Sequence, residues 1–301
     1  MSGSILFGQS YESKFWKRYR HEFRFGIGPA TFLGDLGGQI GDGKHFIEDF
    51  DIQATRFMFQ GGYKYIVHPY FSVRGEITMG MLYGDDKNTK NPIRQNRNLN
   101  FRTFLFEFAA MGEFYPLKER VSHLYRISGV NSKKKKVIVN PYIFGGIALI
   151  AFNPKGELNG QWYALQPLAT EGQELAGRPK KYSRINVAFP LGIGVKFGID
   201  NNWSVGIELS GRYTLSDYMD DVSTSYYDAA EIAAASGPEA AQLQDKALDP
   251  SKGWTGVINY SDGRRNFLQR GDPNYKDGYL FAIINVHYRL SNFKKRYIPK
   301  F

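Results

Sequence analysis

The chain has 301 residues, no cysteine, a formal net charge of +10 and a mean hydropathy of −0.41. A disulfide framework is therefore excluded. The longest uncharged apolar stretch, Val137 to Asn153, is broken by Asn140, Pro141 and Gly145, and falls short of the ~20 residues a membrane helix needs. Aromatics at 16% and 33 glycines suit a β-rich chain, and a chain of this kind crosses a membrane only as a closed barrel.

Met1 to Ser10 reads as a signal-peptide stub or a leader, within an N-terminal segment spanning 1–21. The first strand runs from Glu22 to Leu33, with Phe23, Phe25, Ile27, Thr31 and Leu33 on one face and Glu22 and Arg24 on the other. Gly34 to Asp49 is a loop. The second strand, Thr55 to Val67, sets Phe57, Phe59, Tyr63 and Tyr65 against Arg56, Gln60 and Lys64. After a tight turn at His68 and Pro69, the third strand, Phe71 to Tyr83, opposes Val73, Ile77 and Met79 to Arg74, Glu76 and Thr78. A polar loop, Gly84 to Asn98, leads to the fourth strand, Leu99 to Tyr115, where Phe104, Phe106 and Phe108 face away from Thr103, Glu107 and Glu113.

A basic connection, Leu117 to Val137, precedes the fifth strand, Ile138 to Phe152. Its outer face is read as Tyr142, Phe144, Ala148 and Ile150, although the other face is also apolar. Asn153 to Lys181 is read as a long loop. The clearest signal follows: Ile185 to Ile199 is apolar at every odd position, and the alternation resumes in phase from Trp203 to Leu215 after Asp200, Asn201 and Asn202. Ser216 to Lys276 is the longest loop, helical over the Ala-rich part Tyr227 to Leu248 with a break at Gly237 and Pro238. The last strand, Asp277 to Leu290, opposes Leu280, Ile284 and Val286 to Asn285, His287 and Arg289.

Period-two alternation over such lengths means antiparallel strands with one apolar face. Globular strands average ~5–6 residues, which argues against a soluble sandwich. The pattern predicts an all-β fold: an eight-stranded antiparallel up-and-down transmembrane β-barrel spanning 22–290, with apolar residues facing lipid. Loops after strands one, three, five and seven are long and the alternate turns shorter, so the expectation is an outer-membrane barrel with long extracellular loops and both termini periplasmic, the last being a basic tail over 291–301. The ionic parity then points inward. Arg24, Lys64, Arg74, Glu76, Glu107, Lys196, Glu208, Arg212 and Arg289 form the expected lumen charge network. Eight strands leave an interior just wide enough for side chains, which favours a plugged lumen over a solute path.

The positive excess gathers on one rim. Segments 1–21, 117–137 and 291–301 together hold 15 basic and 2 acidic residues. Lys118, Arg120, Arg126, Lys133, Lys134, Lys135, Lys136, Lys294, Lys295 and Arg296 are the candidate partner-binding rim, an electrostatic seat for a protein or for lipid headgroups. No aromatic residue interleaves the lysine run, so nucleic acid is not expected. The five histidines lack metal-ligand spacing, and there is no phosphate loop, nucleophile elbow or cysteine nucleophile. No enzyme activity and no cofactor are expected. Asp217, Asp220 and Asp221 are the one weak candidate for metal ligation, through calcium.

Several stretches go beyond pattern: TFLGDL at Thr31 to Leu36, NPYIFGG at Asn140 to Gly146, FNP at Phe152 to Pro154, LQPLATEGQ at Leu165 to Gln173, RYTLSDYMDDVS at Arg212 to Ser223 and RGDPNY at Arg270 to Tyr275. Together they resemble the PorG-type outer-membrane barrel family of the type IX secretion system, over about Glu22 to Leu290. The resemblance implies a non-enzymatic outer-membrane component of the secretion and gliding machinery, attached to the periplasmic PorK–PorN ring. The alternative function is a narrow solute channel or sensor.

Overall fold

A computed structural model describes residues 15–36, 54–119 and 138–291. Eight long antiparallel strands close on themselves: β1 (His21–Leu33), β2 (Arg56–His68), β3 (Phe71–Asp85), β4 (Asn100–Phe114), β5 (Ile138–Leu158), β7 (Ile185–Gly198), β8 (Trp203–Thr214) and β11 (Gly278–Leu290), with β6 (Gln161–Ala164) hung on the far end of β5. Each strand pairs with its sequence neighbours in the wall, and the β1–β11 and β4–β5 pairings complete the ring. The protein is an eight-stranded up-and-down barrel with no open edge.

The alternation works as an inside–outside code. Phe25, Phe57, Phe59, Leu191, Ile193, Ile207 and Ile284 stand outward, each more than 45% exposed, while the intervening Arg24, Lys64, Glu107, Lys196 and Arg212 are buried. Apolar outside and ionic inside is the reverse of a water-soluble protein, and only a hydrocarbon surround makes it stable. Strands of 12 to 21 residues exceed the ~9–11 needed to cross a bilayer. At the short-turn end Trp203, Tyr288, Phe23 and Tyr63 occupy one cross-strand row, with Trp203 and Tyr288 ring centres 4.7 Å apart. Such a row is the aromatic girdle of a membrane interface. The chain enters at this end and β11 finishes there. Arg20 stacks on Trp16 and donates to the Tyr65 hydroxyl at 2.9 Å.

Glycines on the inward parity answer to neighbours. A Cβ at Gly194 would lie 2.4 Å from the Tyr142 ring, and one at Gly192 would lie 2.5 Å from that of Phe144. Two large aromatics of β5 therefore fill the lumen opposite Gly192 and Gly194 of β7. This overturns the sequence reading of strand five: Tyr142, Phe144, Ala148 and Ile150 are buried, and Val139, Ile143, Ile147 and Leu149 face out. The lumen is apolar beyond its ionic base, so both parities of β5 are apolar and hydropathy cannot rank them. Thr31, placed among the outward residues, is buried and hydrogen-bonds Thr55.

The long loops are more structured than their composition suggests. β5 continues to Leu158 and turns at Asn159 and Gly160 into β6, where a loop was read from Asn153. Short helices cap the same end: α1 (Pro92–Arg97), α2 (Leu165–Leu168), α3 (Ala229–Ser236) and α4 (Pro238–Gln244), the last two divided at Gly237. The last loop also carries a hairpin, β9 (Val257–Asn259) with β10 (Arg265–Phe267).

Candidate functional site: the filled lumen and its two mouths

All nine expected lumen charges are buried, and the structure draws Glu22, Glu113, Glu119 and His287 into the same assembly. The barrel thus encloses Glu22, Glu76, Glu107, Glu113, Glu119 and Glu208 against Arg24, Lys64, Arg74, Lys196, Arg212 and Arg289, six of each sign, none more than 4% exposed. Arg24 pairs with Glu76 at 2.8 Å, Glu113 at 3.1 Å and Glu208 at 2.6 Å. Arg74 meets Glu113 and Glu208, each at 2.7 Å. Glu22 gathers Arg289 at 2.7 Å, Lys196 at 3.1 Å and the His287 Nδ1 at 2.8 Å. Tyr142 donates to Glu208 and Tyr115 to Glu113, taking up remaining lone pairs. A buried charge is tolerable only when paired and hydrogen-bonded, and the equal count of signs meets that condition.

Glu119 closes the short-turn mouth. It belongs to the basic connection after β4, yet its carboxylate reaches into the barrel, 2.6 Å from Arg289, 3.5 Å from Lys64 and bonded to Lys196. Its neighbour Lys118 is exposed. The signal for Glu22 and Glu113 was their inward parity, but Glu119 lies past Pro116, outside any alternation, and nothing in the sequence marks it. Of the candidate rim, Arg120, Arg126, Lys133, Lys134, Lys135, Lys136, Lys294, Lys295 and Arg296 lie outside the described residues.

Above the ionic base an apolar layer blocks the lumen, including Met58, Phe101, Leu105, Ile150 and Phe281, all buried. Arg212 and Glu107 meet here at 3.3 Å, with the Arg212 guanidinium 4.0 Å over the Phe281 ring. Among the described residues these two layers are filled with buried side chains.

The long-loop mouth is sealed by a second set of polar contacts. Arg97 grips Asp86 with two bonds, at 2.7 and 2.9 Å, and reaches the carbonyls of Asp35 and Arg270. Arg270 pairs with Glu171 at 3.2 Å, and Glu171 accepts from the amides of Ser223 and Thr224. Asp217, Asp220 and Asp221 do not converge. Asp217 takes the Ser223 hydroxyl, Asp220 the amides of Leu36 and Val222, and Asp221 the hydroxyls of Thr170 and Tyr182. No group of carboxylates or histidines among the described residues is arranged to hold a metal ion. Burial pushes Asp217 up to about 7 and Asp221 up to about 6, the latter opposed by Arg270. Burial, with Asp35 and Asp217 nearby, raises Asp220, and burial beside Asp220 raises Asp277.

Solved structures similar to the chain include surface and outer-membrane proteins. Neisserial surface protein A shares 9% identity at a TM-score of 0.36, covering 89% of this chain and 96% of its own. The outer membrane protein OprG from Pseudomonas aeruginosa shares 10% at 0.36, covering 91% and 98%. Ail, the attachment invasion locus protein of Yersinia pestis, shares 11% at 0.35, covering 90% and 99%. No curated protein matches the chain. The membrane assignment rests on the wall itself, apolar outward and ionic inward. Residues 11–232 match the model of a family described as a domain of unknown function, DUF6089, and the chain belongs to that family.

Proposed function

We propose that the protein is a structural anchor in the outer membrane, seating the periplasmic PorK–PorN-type ring of a type IX secretion and gliding machinery through its basic rim. The observation that carries this reading is the sealed lumen. Among the described residues the barrel is filled by paired charges and packed apolar side chains, which leaves its ends to do the work. The basic connection is tied down by Glu119 at one end and re-enters the wall at Ile138 at the other. Its two described ends, Glu119 and Ile138, both lie at the short-turn mouth, the side this reading takes as periplasmic. The motif resemblance supplies the identity of that partner.

Cross-linking in intact cells followed by purification of the barrel tests the proposal. Wild type should recover ring lipoproteins. Replacing Lys133, Lys134, Lys135 and Lys136 by Gln should reduce that recovery severalfold while the barrel still inserts and still migrates as a folded species on unheated gels. Equal recovery from both forms, or no ring component from either, would refute the docking role.

A further inference from the structure

The described residues enclose a cleft of about 860 Å³ at the long-loop end, and it straddles two surfaces that rarely share a cavity. One wall is the lipid-facing side of the barrel. Leu33, Gly278 and Tyr213 are consecutive cross-strand partners in a single row, and Tyr213 shares its outward parity with Leu209 and Ile207. Gly278 offers no side chain, which opens a notch between the other two. The last loop and α1 also line the cleft, contributing Trp254, Lys276 and Arg94. Trp254 is 38% exposed and has the Lys252 ammonium 5.0 Å from its ring. Also lining it is a completely buried Tyr226, whose hydroxyl has no hydrogen-bond partner among the described residues, and a half-buried Thr255 whose Oγ1 likewise has none. A buried donor without an acceptor is costly, and a ligand that brings acceptor oxygens removes that cost.

We propose that this cleft holds the phosphate-bearing headgroup of an anionic lipid from the leaflet at the long-loop end, its acyl chains running down the wall past Tyr213 and Leu33. The components match the parts of the ligand. The lining supplies apolar side chains on the outer wall, an aromatic ring and cations, and two hydroxyls without hydrogen-bond partners among the described residues. Two carboxylates also line the cleft. Asp272 accepts from the amide and side-chain nitrogens of Asn274, Asp35 accepts from the Asp272 amide, and the five cations that line the cleft, Arg94, Arg97, Arg212, Arg270 and Lys276, outnumber these two carboxylates.

Titration of the full-length protein in nonionic detergent, read by native mass spectrometry, tests the assignment with three probes: dihexanoyl phosphatidic acid, dihexanoyl phosphatidylcholine and inorganic phosphate. We expect saturable one-to-one binding of the phosphatidic acid, and at least tenfold weaker binding of each of the other two. The Arg94→Gln/Lys276→Gln pair should lose at least tenfold in affinity for phosphatidic acid. Tyr226→Phe, which deletes one oxygen and leaves the packing in place, should lose severalfold. Arg264→Gln/Lys180→Gln removes the same charge from exposed positions outside the cleft and should bind as wild type does. Equal binding of phosphatidylcholine, equal binding of inorganic phosphate, or equal losses from the two double variants would each overturn the proposal.

Discussion

Glu119 shows how much a single side chain can decide. It accepts from three buried cations, so Glu119→Ala leaves Lys64, Lys196 and Arg289 short of a counter-charge inside a low-dielectric barrel. Breaking a buried pair in this way costs roughly 3–5 kcal/mol. We expect that loss in urea unfolding of the reconstituted protein, against a change within about 0.5 kcal/mol for Lys118→Ala at the adjacent exposed position. The carboxyls of the opposite mouth make a pH prediction. Asp217 rises from 3.8 to about 7 on folding, so the folded cap binds more protons than the unfolded chain between those values. A raised carboxyl pKa contributes stability that is complete below the unfolded value and lost as pH climbs through the folded one. Protease resistance of the 216–276 loop should therefore fall from pH 5 to pH 8, and Asp217→Asn should flatten that decline. A loop that becomes more resistant on alkalinisation would contradict the burial that causes the shift.

At the level of elements, strands read well where the two faces differ in chemistry. β7 and β8 were legible from Ile185 to Leu215 because their inward positions are small or polar and their outward ones, Gly211 apart, carry apolar side chains. β5 was legible as a strand but not in its parity, since Phe144, Ile150 and Phe152 pack inward with an apolar layer while Ile143, Ile147 and Leu149 meet lipid. The continuation of β5 into β6 was hidden for a different reason: above the membrane neither face meets hydrocarbon, and Asn153 to Leu158 loses its alternation. What separates the parities of β5 is its partner strand. Gly192 and Gly194 vacate the space that Phe144 and Tyr142 occupy. Gly194→Ala would push a Cβ to 2.4 Å from the Tyr142 ring, whose hydroxyl is fixed on Glu208. Overpacking of this kind costs typically about 1–3 kcal/mol. Gly198→Ala, whose Cβ would meet Ile138 at an ordinary 3.5 Å, is the control and should stay near wild type by the same unfolding assay.

For the molecule as a whole, closure and filling decide between an anchor and a conduit. The sequence carried the closure, through strand number and loop asymmetry, and nine of the charges within. It could not carry the pairing, because partners such as Arg24 and Glu208 are far apart in the chain and meet only once the ring has closed. Nor could it show the apolar layer, which depends on the inverted face of β5. Together these layers set a barrier. An ion crossing the barrel must separate contacts such as Arg24–Glu208 at 2.6 Å and Arg289–Glu119 at 2.6 Å, then shed its hydration among Met58, Phe101 and Phe281. Each displaced partner is left as an unpaired charge in a medium that penalises it by several kcal/mol. Protein reconstituted into planar bilayers should therefore pass no resolved single-channel current in 1 M KCl, a salt level that leaves buried pairs little screened. Discrete, reproducible current steps would mean that the base of ion pairs opens as a gate, and the channel reading would displace the anchor.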